Sequence, residues 1–154
     1  MRVSFRAQKS TILKGATMIR NAIATTLFLA VASPCVAGQW VKSDDKGLSV
    51  YNLRDGQKQI NMACDPEALW DPPEYHVTVS DGRTFLAGDR AEVKSGRETI
   101  TLPLSGDSFL AGKDTKHWNK LVAMLTKPGT VTFRDGKSEI AVKIDAAIKN
   151  DCMK

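Results

Sequence analysis

The chain of 154 residues carries 22 basic and 17 acidic residues, which gives a formal net charge of +5. Five of the basic residues and none of the acidic ones lie in positions 1–37, so the remaining 17 basic residues balance the 17 acidic ones. A balanced domain lacks the basic surplus typical of nucleic-acid binding, and we expect no nucleic-acid partner.

The N-terminal segment has the pattern of an export signal. Its basic residues are followed by the apolar stretch Ala22–Ala32, which is shorter than the roughly 20 residues of a membrane-spanning helix but fits the core of a secretory signal. Small residues before Gly38 predict cleavage there, with cleavage after Ala32 as the alternative. Met18 is an alternative start. We predict a signal peptide over residues 1–37 and a periplasmic or secreted location for the rest.

The three cysteines fit an oxidising compartment. Cys35 would be the acylated residue of a lipoprotein, but Pro34 stands where such signals have a small residue, so we expect Cys35 to be removed with the signal. Cys64 and Cys152 remain and predict a disulfide, with two free buried thiols as the alternative. The disulfide would close a loop of about 90 residues, worth roughly 4–5 kcal/mol in the chain-entropy treatment.

Turn pairs such as Asp-Gly, placed between runs of β-forming residues, predict four hairpins. Trp40 is expected to begin the strand before them and to pack on the core. The hairpins join Leu48–Leu53 to Gln57–Cys64, Tyr75–Ser80 to Arg83–Leu86, Arg90–Lys94 to Arg97–Leu102, and Thr130–Arg134 to Lys137–Ile144.

Two helices are predicted after the third hairpin. The first is capped by Asp114 or Thr115 and runs to about Lys127, and the second covers Asp145–Cys152. The first has one apolar stripe, formed by Trp118, Leu121, Val122 and Leu125. The pattern as a whole predicts a single, mainly β domain over residues 38–154: an antiparallel β-sandwich or open barrel built from hairpins, with one amphipathic helix packed on it.

The segment Asp65–Glu74 is the most unusual part of the sequence, because it combines prolines, acids and one tryptophan directly after a cysteine. Its candidate binding residues are Trp70, Asp65, Glu67, Asp71 and Glu74. Prolines stiffen the loop and prevent strand pairing, so it could present Trp70 for recognition of a protein or a cationic ligand. In the alternative interpretation, Trp70 folds back to close the end of the barrel and the acids only solvate the loop.

No residue pattern points to catalysis. His76 and His117 are the only histidines, and neither lies near a serine, cysteine or aspartate in a known nucleophile arrangement. Both are expected to be solvated polar residues. With two histidines and no CxxC pair, we expect no metal site and no cofactor.

The order of elements resembles the invasion-associated locus B family of small exported bacterial proteins. The resemblance covers most of the chain after the signal, and comprises Trp40, the strand Ile60–Cys64, the helix Trp118–Leu125, the strand Val131–Phe133 and the C-terminal turn Asp145–Cys152. One cysteine pair is fewer than we expect in that family. The resemblance implies a periplasmic, non-enzymatic β protein linked to the cell envelope or to host contact, and it assigns no functional residues.

These observations together predict an exported, non-catalytic β domain that binds a protein or an envelope component and has no membrane span after the signal. A first alternative is a protein inhibitor of a periplasmic or host hydrolase. A second is a small hydrolase that uses His76 or His117. The sequence does not indicate the oligomeric state.

Overall fold

The computed structural model describes residues 38–154. The predicted signal peptide, including Cys35 and both alternative processing sites, lies outside these described residues. The described chain folds into nine strands and one α-helix. The strands are β1 (Trp40–Asp45), β2 (Leu48–Asp55), β3 (Lys58–Cys64), β4 (Tyr75–Ser80), β5 (Arg90–Ser95), β6 (Glu98–Pro103), β7 (Ser108–Leu110), β8 (Gly129–Arg134) and β9 (Glu139–Ile144). Helix α1 covers Thr115–Leu125 and follows a single 3₁₀ turn, Ala111–Lys113.

The strands form two antiparallel sheets. The five-stranded sheet has the order β1-β2-β3-β4-β7, and the four-stranded sheet has the order β6-β5-β8-β9. Within residues 38–154 the two sheets are separate, which confirms the predicted mainly β, antiparallel architecture in its sandwich or open-barrel form with one helix.

One core fills the space between the sheets, because alternate residues of each strand point inward. In the five-stranded sheet the inward residues include Leu53, Ile60 and Val77, and in the four-stranded sheet they include Val93 and Phe133. The helix adds its whole predicted stripe to the same core: Trp118, Leu121, Val122 and Leu125 are all fully buried. Asp114 caps this helix by accepting a hydrogen bond from the backbone N–H of His117.

Three of the four predicted hairpins are confirmed, and the second is wrong. Tyr75–Ser80 forms β4, but Arg83–Leu86 forms only an isolated bridge through Phe85. The Asp81 carboxylate accepts the backbone N–H groups of Arg83, at 2.9 Å, and Thr84, at 2.7 Å, which closes a tight turn. Pairing then stops after Phe85, because the N–H of Ala87 donates to the Asp135 carboxylate at 2.7 Å instead of to β4. The short strand β7, which the sequence did not indicate, pairs with β4 instead.

The predicted C-terminal helix over Asp145–Cys152 is also wrong. Its backbone donors bond outside the segment or to a side chain: the N–H of Asp145 donates to Gly38 O, and that of Ile148 to Thr126 O. The N–H of Cys152 donates to Asn150 Oδ1. The segment is therefore a tail without regular secondary structure, and long-range hydrogen bonds fix it to the rest of the domain.

Candidate functional site

The 65–74 loop, defined as Asp65–Glu74, joins β3 to β4 at one end of the five-stranded sheet. The residue before it, Cys64, is fully buried and forms the predicted disulfide with Cys152, across a Cα–Cα distance of 5.2 Å. The disulfide thus fixes the C-terminal tail at the base of the loop.

A buried carboxylate shapes the first half of the loop. Asp65 is 0% exposed, and its two oxygens accept the backbone N–H groups of Leu69, at 2.8 Å, and Trp70, at 2.9 Å. A third bond runs from the N–H of Ala68 to Asp65 O. Bonds from backbone N–H groups to a charged acceptor are stronger than neutral ones, so the loop conformation up to Trp70 is held by one side chain.

Tyr75 fixes the other end of the loop. Its hydroxyl donates to Asp65 O at 2.7 Å, and its ring meets the ring of Trp118 edge-on at a centroid distance of 6.4 Å. Burial, and secondarily the nearby Asp65 carboxylate, raises the pKa of Tyr75. The Lys154 Nζ lies 4.3 Å from the centroid of the same ring. The two ends of the loop are therefore joined by the bond between Tyr75 and Asp65, and the Tyr75 ring contacts Trp118 of the helix and Lys154 of the tail.

Trp70 is 43% exposed, so the interpretation in which it folds back to close the end of the barrel is wrong. Residues 66–74 are all exposed. Neighbouring Leu69 is 60% exposed and its side chain lies over Gly47, in the turn between β1 and β2. The loop therefore presents two large apolar side chains to solvent, on a backbone that is fixed by its hydrogen bonds to Asp65.

Trp70 borders an open groove of about 540 Å³ between the second half of the loop and the start of the 3₁₀ turn. The lining is mostly aromatic, proline and aliphatic, with two acids and one lysine. It consists of Trp70, Asp71, Pro72, Pro73, Glu74, Tyr75, Leu110, Gly112 and Lys113. The peptide bond between Asp71 and Pro72 is cis.

The five predicted binding residues do not play one role. Trp70, Asp71 and Glu74 line the groove, and Glu67 is exposed on the same loop. Asp65 is buried beneath them and cannot contact a partner directly, because both of its oxygens are bonded to the loop backbone. Its role is to position the others.

Both histidines contact carboxylates. His76 Nδ1 lies 3.0 Å from Glu74 Oε1, behind the groove, and His117 Nδ1 lies 2.6 Å from Asp114 Oδ2 at the helix N-terminus. The backbone N–H of His117, followed by its side chain, lowers the pKa of Asp114. Within residues 38–154 neither histidine lines the groove, whose only hydroxyl is that of Tyr75.

Sequence reasoning missed the far wall of the groove. Leu110 and Lys113 reach it because β7 pairs with β4, with His76 opposite Leu110. A three-residue strand has no periodic signal of its own, so nothing in the sequence places it beside the loop.

Across residues 38–154 there is no group of three or more histidine, cysteine, aspartate or glutamate side chains that could hold a metal ion. Over the same residues no helix is both long enough and apolar enough to cross a bilayer. Comparisons with models of protein families, with curated proteins and with solved structures find no match to this chain.

Proposed function

We propose that this chain is an exported, non-catalytic binding domain that captures a protein of the cell envelope through the 65–74 loop, with Trp70 as the anchor. The observation that carries the proposal is the combination of an exposed tryptophan with a backbone that is already fixed by Asp65 and the disulfide. Tryptophan is among the residues most enriched at the centres of protein interfaces. A preformed loop also avoids the entropy cost of ordering on binding.

The charges around the anchor favour a basic segment of the partner. Glu67, Asp71 and Glu74 are exposed on the loop, and Lys113 is the only basic residue in the groove lining. A lysine or arginine side chain of the partner could lie against the Trp70 ring, an attraction worth about 0.5–1 kcal/mol at an exposed site. The rest of an extended segment would occupy the apolar floor between Pro72 and Leu110.

Export rests on the sequence pattern of residues 1–37, and the fold is compatible with cleavage before Gly38. Gly38 N donates to Arg54 O at 2.6 Å, and Gly38 O accepts from Asp145 at 2.8 Å. An N-terminal amine created at this position would keep both bonds. Intact-mass analysis of the native product should give a chain that starts at Gly38, whereas a product that retains Met1 or Met18 would contradict export with this cleavage.

Capture from an envelope extract, with quantitative mass spectrometry, tests the binding role. Trp70→Ala should strongly reduce recovery of the specific partner without lowering the melting temperature, because the side chain is not part of the core. Phe85→Ala is the matched control, since Phe85 is a large apolar residue that is 53% exposed elsewhere. Equal recovery with W70A and the wild type, or equal loss with both variants, would contradict the proposal.

Inhibition of a hydrolase is a second candidate, which the stiff, protruding and acidic loop favours. A lysozyme-type enzyme with a basic cleft would be a fitting target. A direct inhibition assay separates the two roles: inhibition that is lost in W70A supports the inhibitor, and capture without inhibition supports the simple binding role. The remaining candidate, a hydrolase using His76 or His117, has less support because the groove lining brings neither histidine together with a serine, threonine or cysteine.

A further inference from the structure

A second groove lies at the opposite end of the five-stranded sheet. It has a volume of about 390 Å³ and is formed where the turn between β2 and β3 meets the turn after β4. Its lining contains two arginines, two glutamines and two glycines: Arg54, Arg83, Gln57, Gln59, Gly56 and Gly82. Strand β3 has seven residues, so this groove and the 65–74 loop are separated by about 20 Å along the sheet.

The two arginines are available to a ligand. Neither Arg54 nor Arg83 forms an ion pair with a carboxylate of residues 38–154. The acids near them in the sequence accept backbone N–H groups: Asp55 accepts that of Lys143 at 2.9 Å, and Asp81 accepts those of Thr84 and Arg83. Those two bonds, that of Thr84 first, lower the pKa of Asp81 and keep it committed to its own turn.

The two turns are fitted closely together. Gly82 has φ +88°, and a Cβ atom at this position would lie 2.8 Å from Gln57 O. Position 82 therefore requires glycine for two reasons: its backbone is left-handed, and the turn after β4 lies close to the turn between β2 and β3. This close approach holds the turn that carries Arg83 beside Gln57.

The groove continues into a row of polar side chains on the outer face of the sheet. Gln59 lies between Arg54 and Ser80 in the strand register, and the next row is Asn52, Asn61, Thr78 and Ser108. These residues alternate with buried ones, so they share the solvent face. Asn52 Oδ1 accepts from Asn61 Nδ2 at 2.8 Å, which orders this row.

From this arrangement we propose that the hairpin-end groove binds an acidic glycan. Arg54 and Arg83 would bind a sugar carboxylate, because guanidinium groups match carboxylates with two parallel hydrogen bonds. The amide and hydroxyl row would bind the hydroxyls of neighbouring sugar units. Uncharged polar side chains along several strands can hydrogen-bond the hydroxyls of a sugar chain, which a small inorganic anion lacks. The row carries no positive charge, so it does not offer the several phosphate contacts that nucleic-acid binding needs.

Calorimetry and ¹⁵N-resolved NMR with a short oligogalacturonate test the proposal. Binding should shift the amide signals of Gln57 and Gln59 first. Arg54→Gln and Arg83→Gln should each weaken binding about tenfold or more, as expected for loss of a charged hydrogen-bonding partner. The control Lys94→Gln/Lys149→Gln removes two exposed positive charges elsewhere and should change the affinity little.

Two further probes decide the nature of the ligand. The methyl-esterified oligogalacturonide and inorganic phosphate should both bind at least about tenfold more weakly than the acid. The glycan assignment would be overturned if phosphate bound as tightly as the oligogalacturonate. It would also be overturned if the lysine control lost as much glycan affinity as the arginine variants, or if the oligogalacturonate did not bind. Trp70→Ala should leave glycan binding unchanged. Failure of the glycan proposal can therefore be distinguished from failure of the proposal that the 65–74 loop captures a protein.

Discussion

The two ends of the five-stranded sheet are built in opposite ways. At the loop end, the disulfide, the buried Asp65 carboxylate and the Tyr75 ring fix a long irregular segment that is acidic and aromatic on its surface. At the hairpin end, the groove is lined by Arg54 and Gln59 at the ends of strands and by Gln57 and Arg83 in two short turns, and Gly82 lies close to Gln57. The long loop is fixed by a disulfide with a sequence separation of 88 residues together with hydrogen bonds inside the loop, whereas the Asp81 turn is held by local hydrogen bonds alone.

Removing the disulfide should give the largest effect, and its structural consequence should be greatest at the loop end. Cys64→Ser/Cys152→Ser should lower the free energy of unfolding by about 4–5 kcal/mol, because the cross-link closes a loop with a sequence separation of 88 residues. Urea unfolding measures this loss. In hydrogen exchange under native conditions, amides that exchange only through global unfolding should lose protection throughout the domain. The amides of the 65–74 loop and the tail should lose more than this shared amount, while those around Gly56 and Gly82 should not. A loss of protection that is equal at both ends would mean that the disulfide does not fix the loop in particular.

Removing the buried carboxylate should be the next largest effect. Asp65→Ala should destabilise the domain by about 2 kcal/mol, since the loop amides lose a charged acceptor. It should also weaken partner capture, although Asp65 is buried. Glu67→Ala is the matched control for stability, because it removes the same charge from an exposed position of the same loop. If chemical denaturation finds the two variants equally stable, Asp65 does not hold the loop.

At the hairpin end, Gly82→Ala should lower the free energy of unfolding by more than Gly96→Ala does. Both glycines have positive φ, +88° and +59°, so both variants should lose about 1 kcal/mol or more to backbone strain. A methyl group at position 96 meets no atom within 4 Å, but at position 82 it meets Gln57 O. The difference between the two unfolding free energies measures the contact between the turns. Identical unfolding free energies for the two variants would mean that the two turns do not pack closely at Gly82.

The smallest effect is expected away from both ends, at the helix cap. Asp114→Ala should lower the melting temperature by a few degrees near neutral pH, because the carboxylate accepts the N–H of His117. Since the folded-state pKa of Asp114 is lowered, its contribution is present above its unfolded pKa of about 3.9 and is lost as the pH falls through the folded value. Melting curves of the wild type and the variant should therefore converge in acid. A constant difference across pH would assign the effect to helix propensity instead.

The sequence predicts the elements of this fold better than the site they form. Alternation along β3 and the stripe from Trp118 to Leu125 correctly predict the core, because burial imposes a period on each element. The failed helix over Asp145–Cys152 depends on hydrogen bonds to residues far along the chain, such as the bond from the Asp145 N–H to Gly38 O, and burial of Asp65 depends on how the whole domain packs around it. No local pattern carries this information, so the sequence identified the loop but neither the positioning role of Asp65 nor the opposite wall of the groove.

Site-specific photo-cross-linking shows whether Trp70 is the contact point of a protein partner. A photoreactive phenylalanine derivative at position 70, and at position 85 as the control, would be irradiated in envelope extract with the disulfide intact. We expect one dominant protein adduct at position 70 and no such adduct at position 85. No adduct at position 70, or the same adduct at both positions, would contradict this expectation.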